Sequence, residues 1–98
     1  MTIEIVKGKE ETVLLISGRL DTNTAPVLEK TIYEDISDHC DLVLDMKELE
    51  YISSAGLRVL LSAQKRMQRN GAMKLRNVCE MVQEVFELTG FSDILAIE

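Results

Sequence analysis

The sequence predicts an α/β fold: a mixed, mainly parallel sheet with an N-terminal hairpin and helices packed on it, in the order β-β-α-β-α-β-α-β. Three observations lead there. Two strand-like runs are joined by the short turn Gly8-Lys9-Glu10. After Thr24, segments with apolar residues every three or four positions alternate with short β-rich runs, the pattern of strands linked by crossover helices. The 98 residues, 46% hydrophobic and 29% charged, suit one folded domain rather than two or a disordered chain.

In order, Ile3 and Ile5 alternate with polar residues, so Thr2–Lys7 reads as an edge or half-buried strand. Thr12–Ser17, a continuous β-rich run, reads as a buried strand that pairs with the first as a hairpin and stops at Gly18-Arg19-Leu20-Asp21. Thr24 can cap a helix with Pro26 in its first turn, where the missing N–H costs nothing. Ala25, Leu28, Ile32 and Ile36 form its apolar stripe, and it ends before Asp38-His39. Asp41–Asp45 is a short buried strand and Met46–Ile52 a linking segment. Ser53-Ser54-Ala55-Gly56 opens a second helix with Leu57, Leu60, Leu61, Ala63 and Met67 inward, and Asn70-Gly71 gives it a left-handed stop. Met73–Asn77 is the next strand. Val78, Met81, Val82, Val85 and Phe86 mark a third helix ending at Thr89-Gly90, and Asp93–Ile97 supplies the last strand. Parallel neighbours joined this way take right-handed crossovers.

Composition narrows the function. No apolar run approaches the ~20 residues of a membrane span, and Met1–Lys7 lacks a signal-peptide core, so the expected location is the cytoplasm, with no membrane partner. The formal net charge of −6 argues against nucleic acid. That charge is uneven: residues 1–50 carry 12 acidic and 5 basic side chains, residues 51–98 carry 5 and 6. Arg58, Lys65, Arg66 and Arg69 fall in an acid-free stretch, either a basic face for an acidic partner or an ordinary solvated helix face. His39 is the one histidine and reads as a solvated loop residue. Cys40 and Cys79 lie far apart and read as small buried hydrophobes, and Met67, Met73 and Met81 as core fillers. No nucleophile–base pair, metal cluster or glycine-rich phosphate loop is present, so no enzyme, no metal and no cofactor are expected.

Chemistry gathers instead at Ser53-Ser54-Ala55-Gly56-Leu57. The first N–H groups of a helix lack internal partners, and the helix dipole leaves partial positive charge there. A serine hydroxyl satisfies one of those groups as a cap, and a phosphate can take its place. Ala55 and Gly56 are small enough for another protein's backbone to approach. A phosphate on Ser54 would add about −1.5 to −2 charges, tolerable to a helix start but hostile to a close-packed docking surface. Asp21 reads either as an orienting or partner-contacting residue or as a turn residue bonding local backbone. Arg58, one turn after Ser54, reads as a partner for phosphate or acid, or as a solubilising surface residue.

Four segments in order, Gly18-Arg19-Leu20-Asp21 with Thr24-Ala25, Leu42-Val43-Leu44-Asp45, Tyr51-Ile52-Ser53-Ser54-Ala55-Gly56-Leu57 and Val85-Phe86-Glu87-Leu88-Thr89-Gly90-Phe91, resemble the STAS-domain anti-sigma factor antagonists over nearly the whole chain. The resemblance implies a single STAS domain over residues 1–98 and a partner-switching role. Unphosphorylated, such a protein binds an anti-sigma factor, a serine kinase with bound ATP, and so frees a sigma factor; phosphorylation separates the pair and a serine phosphatase resets it. The acceptor falls on Ser54, and the resemblance implies that the loop carrying Asp21 and Thr24 also lines the docking face; Ser53, Ala55, Gly56 and Arg58, read from the residues themselves, complete the expected docking surface. The family often has an aspartate just before the acceptor, where this chain has Ser53, a second hydroxyl. That departure favours the alternative reading, a STAS subunit of a larger transport or stressosome-like assembly that docks without a phosphorylation cycle.

Overall fold

The computed structural model describes residues 1–36, 40–69 and 71–98. The chain runs β1 (Thr2–Lys7), β2 (Glu11–Leu20), α1 (Ala25–Asp35), β3 (Asp41–Ile52), α2 (Ser54–Met67), β4 (Met73–Arg76), α3 (Glu80–Thr89), a 3-10 turn at Phe91–Asp93, and β5 (Ala96–Ile97). The strands form one five-stranded sheet in the order β1-β2-β3-β4-β5, with β1 antiparallel to β2 and every other pair parallel. This is the mixed α/β architecture that the alternation of strand and helix patterns predicts.

One apolar cluster joins the helices to the sheet. It takes Leu14 and Ile16 from β2, Leu42 and Leu44 from β3, Met73 and Leu75 from β4, and buried residues of all three helices. In α1 these are Ala25, Leu28 and Ile32; in α3, Val82 and Phe86. The inward face of α2 is Leu57, Leu60, Ala63 and Met67 as its spacing predicts, with Val59 added and Leu61 only half-buried. Met81 is 61% exposed, so it is not a core filler; it stands one position before Val82 on the outer side of α3. Cys40 and Cys79 are half-buried rather than enclosed: the Cys40 sulfur lies 3.6 Å from the Thr12 hydroxyl, and the Cys79 thiol points at the Leu49 carbonyl at 3.6 Å.

Two strands run further than their sequence patterns predict, for one reason. β2 continues through Gly18 to Leu20, and β3 through the expected linker to Ile52. Between Leu15 and Ser17, and again between Gly18 and Arg19, the register with β3 shifts, so β3 carries an extra residue at each place. These bulges put the buried residues of β3 at Met46, Leu49 and Ile52, three apart instead of two, which hides the strand from a period-two reading. Gly18 has φ +91°, a left-handed backbone that suits glycine, and pairing resumes beyond it with Arg19 opposite Tyr51. The Arg19 guanidinium then stacks 4.0 Å from the Tyr51 ring.

The chain's end departs in the other direction. Gly90 closes α3 in the left-handed conformation, and the next residues wind into the 3-10 turn before Leu95 enters the core, so the last strand is only Ala96–Ile97. β4 stops at Arg76, one residue early. After α2 the N–H of Gly71 reaches the Met67 carbonyl at 2.9 Å without a positive φ. Asn70, the other half of the expected stop, and His39 lie outside the described residues.

Candidate functional site

The carboxyl ends of β2 and β3 meet where α1 and α2 begin. The junction is direct: the Ser53 N–H donates to the Leu20 carbonyl at 2.9 Å. On the β2 side, Asp21 and Thr24 lock a tight turn. The Asp21 carboxylate accepts the backbone N–H groups of Asn23 at 3.0 Å and Thr24 at 3.1 Å. The Thr24 hydroxyl accepts the Asp21 N–H at 2.8 Å and gives its one proton to the Arg19 carbonyl at 2.7 Å; Asp21 Oδ1 lies 3.2 Å away. Thr24 occupies the cap position of α1, yet its hydroxyl serves the turn and not the helix. These bonds hold the Asp21 carboxyl below its ordinary value of 3.8, led by the Thr24 backbone N–H, with the Arg19 charge adding to the effect. Of the two sequence readings of Asp21, the geometry displays the local one: its hydrogen bonds go to its own turn.

On the β3 side, Ser53 is the N-cap of α2, in an extended conformation, its hydroxyl accepting the Gly56 N–H at 3.4 Å. Ser54 is therefore the first helical residue. It is exposed, and among the described residues its hydroxyl makes no hydrogen bond. The first turn of α2 contains no acid, so nothing there offsets the dipole's positive end. Arg58 is exposed one turn later. Ala55, Arg58 and Val59 form one wall of a shallow groove whose other wall is Thr22, Ala25 and Pro26 at the start of α1. The structure thus brings Asp21, Thr24, Ser53, Ser54, Ala55 and Arg58 to one end of the molecule, with Thr22 and Pro26, which the sequence reading leaves out. What could have marked those two is the helix start itself, whose first turn must flank the neighbouring one.

Gly56 is a correction. It is buried, and the room it makes is internal: a Cβ there would stand 2.8 Å from Leu20 Cγ and 2.9 Å from Ile52 Cγ1. The glycine lets α2 start against the ends of β2 and β3; it does not open a path for a visiting backbone. The basic stretch is corrected in part. Arg66 turns inward, donating to the carbonyls of Ile32 and Ile36 at 3.2 Å each and lying 5.1 Å from the Tyr33 ring. It closes the end of α1, whose last turn has no cation of its own. Arg58, Lys65 and Arg69 remain exposed. Asp45 belongs elsewhere, bonded to Asn77 and 3.9 Å from Arg76.

Among the described residues, no cluster of histidine, cysteine and acidic side chains could hold a metal ion, and no helix is long and apolar enough to cross a membrane.

Comparison with known proteins agrees with this fold. An anti-sigma-B factor antagonist of Bacillus subtilis (strain 168) is 28% identical over 99% of this chain and 90% of its own length. The crystal structure of an anti-sigma factor antagonist from Mycobacterium paratuberculosis superposes with a TM-score of 0.87 at 24% identity, covering 98% of this chain and 83% of that one. The Bacillus cell fate determinant SpoIIAA in its phosphorylated form gives a TM-score of 0.71 at 16% identity, covering 99% of this chain and 91% of that one. The STAS-domain family model matches residues 2–98, and the chain belongs to the STAS domain family.

Proposed function

We propose that this protein is an anti-sigma factor antagonist. It binds an anti-sigma factor through the surface formed by the Asp21–Thr24 turn and the start of α2, and phosphorylation of Ser54 ends that binding. The observation that carries the reading is the division of labour between adjacent serines. Ser53 caps the helix, which leaves the Ser54 hydroxyl exposed and uncommitted at a helix start with no acid in its first turn. A phosphate there meets the positive end of the dipole, so the fold accepts it. The same group, at about −1.5 to −2 charges and strongly hydrated, opposes a surface that must dock closely. The relatives support the binding role by their names, and one fold neighbour exists in a phosphorylated form.

In this reading the protein is a binding partner and not an enzyme. The anti-sigma factor is the serine kinase and brings the ATP; docking frees the sigma factor, and a serine phosphatase restores the antagonist. The second reading, a STAS subunit docking without phosphorylation in a larger assembly, is favoured by Ser53 in place of the aspartate often found before the acceptor. Incubation with the partner kinase and ATP, followed by intact-mass spectrometry, separates the two. We expect a gain of one phosphoryl group that Ser54→Ala abolishes. A gain retained in Ser54→Ala and lost in Ser53→Ala would move the switch by one residue. Stable docking with no gain would establish the second reading.

A further inference from the structure

The side of the sheet away from the helices carries a pattern of its own. Ile3, Ile5, Leu14, Ile16, Leu44 and Leu75 belong to the helix-covered core or pack against it. Strand residues alternate between faces, so the residues between these point the other way. The pairing aligns them in two rows. One runs Glu4, Leu15, Asp45, Arg76; the other runs Val6, Val13, Val43, Lys74. Val6 is 50% exposed, Val13 and Leu15 are half-buried, and Val43, though buried, stands outside the main core cluster. Among the described residues no helix covers these rows.

Across β1 to β4 the charges in these rows are ordered, and Lys74 also lies 3.8 Å from Glu98, just past the edge strand β5. Glu4 on β1 is acidic, the middle is apolar, and Lys74 and Arg76 on β4 are basic. Asp45 in the middle is already bonded to Asn77 and lies 3.9 Å from Arg76. Within these two rows two acids and two bases balance, while the next row on the same face, Glu11 opposite Asp41, is acidic. Two rows acidic at Glu4 on β1 and basic at Lys74 and Arg76 on β4 are complementary to themselves when turned over. A two-fold axis parallel to the strands, between β2 and β3, would lay Glu4 over Arg76 of a second copy and Val13 over its Val43, twice in one interface.

From this self-complementarity we propose that the uncovered sheet face is a homodimer interface, two copies stacking sheet on sheet at the ~10 Å spacing and ~30° crossing usual for such packing. Four strands and two rows span roughly 260 Å² on each copy, about 520 Å² in total, well below the ~1,200 Å² of a stable specific interface, so the dimer is weak and concentration-dependent. The face lies opposite the helix layer that presents Ser54, so dimerisation leaves the proposed docking surface free, and each proposal can fail alone.

Sedimentation equilibrium on the unphosphorylated protein up to about 1 mM tests it. Wild type self-associates. Glu4→Arg and Arg76→Glu each weaken association about tenfold or more, and an equimolar mixture of the two variants restores it, because each then offers the charge the other lacks. Circular dichroism checks that both fold. Should Arg76→Glu fail to fold beside Asp45, Val13→Lys at the centre of the face abolishes association instead. A monomer at every concentration overturns the proposal. So does a dimer indifferent to Arg76→Glu and Val13→Lys, which would indicate pairing along the β1 edge.

Discussion

The turn from Asp21 to Thr24 and the helix start from Ser53 to Gly56 lie at the same end of the sheet, joined by the bond between Ser53 and Leu20, yet they treat their polar groups differently. In the turn, one carboxylate and one hydroxyl take up three backbone N–H groups and one carbonyl, all between 2.7 and 3.1 Å. At the helix start, the one side-chain bond is the 3.4 Å contact from Gly56 N–H to Ser53, and Ser54 has none. One side is finished by its own residues. The other exposes Ser54 at the positive end of a helix, where the first N–H groups lack intrahelical partners. A charge added to the first region must displace bonds already made, whereas a charge added to the second finds donors waiting. That contrast is why Ser54, and not the better-bonded Thr24, carries the proposed switch.

The contrast breaks most readily at Gly56, because the open helix start depends on tight packing beneath it. An alanine Cβ would crowd Leu20 and Ile52, both buried, at distances where the side chains must shift. Overpacking of this kind costs about 1–3 kcal/mol, against up to ~1 kcal/mol gained from alanine's better helix propensity. Gly56→Ala should therefore lose roughly 1–2 kcal/mol in urea unfolding. A variant as stable as wild type would mean that α2 can slide outward, and that the Ser54 geometry is not fixed from below.

Much of this was legible in the sequence, and the failures share a cause. The apolar stripe Ala25, Leu28, Ile32 identifies α1, and the sharing of inward positions by Leu57, Leu60, Ala63 and Met67 identifies α2, because helical periodicity is local. Met46, Leu49 and Ile52 concealed half of β3, since bulges relative to β2 set their spacing and the register of a neighbouring strand is not written in either one. Gly56 reads as making room, but which side needs it depends on Leu20, brought there by the sheet. Arg66 read as one more surface cation because its acceptors, the carbonyls of Ile32 and Ile36, belong to another helix. The serine pair is legible in the sequence; which serine caps and which is free is a matter of one residue's backbone angles.

The locked turn has an acid signature. Because the folded state holds the Asp21 carboxyl below its ordinary 3.8, its contribution is fully present above that value. It is lost as pH falls through the lowered one, when the carboxylate takes a proton and stops accepting from Asn23 and Thr24. Asp21→Asn should lower stability at neutral pH and flatten the decline below pH 3.8, measured by urea unfolding across the acid range. An unchanged acid limb would show that the turn holds without the charge, and the difference between the two regions would shrink to geometry alone.

The smallest effect separates the two serines most sharply. Ser53→Ala removes a cap whose bond is already long at 3.4 Å, so its cost belongs near the low end for caps, about 0.5–1 kcal/mol. Ser54→Asp removes no bond and places a negative charge in the first turn, worth about 0.3–1 kcal/mol of added stability from the dipole. Adjacent substitutions should thus move urea midpoints in opposite directions, and only the gain at Ser54 should fade as salt screens it. Equal losses at both positions would mean that Ser54 supports the helix as Ser53 does. Its phosphorylation would then tax the fold as well as the docking surface, and the switch would act partly by loosening α2 instead of by charge alone.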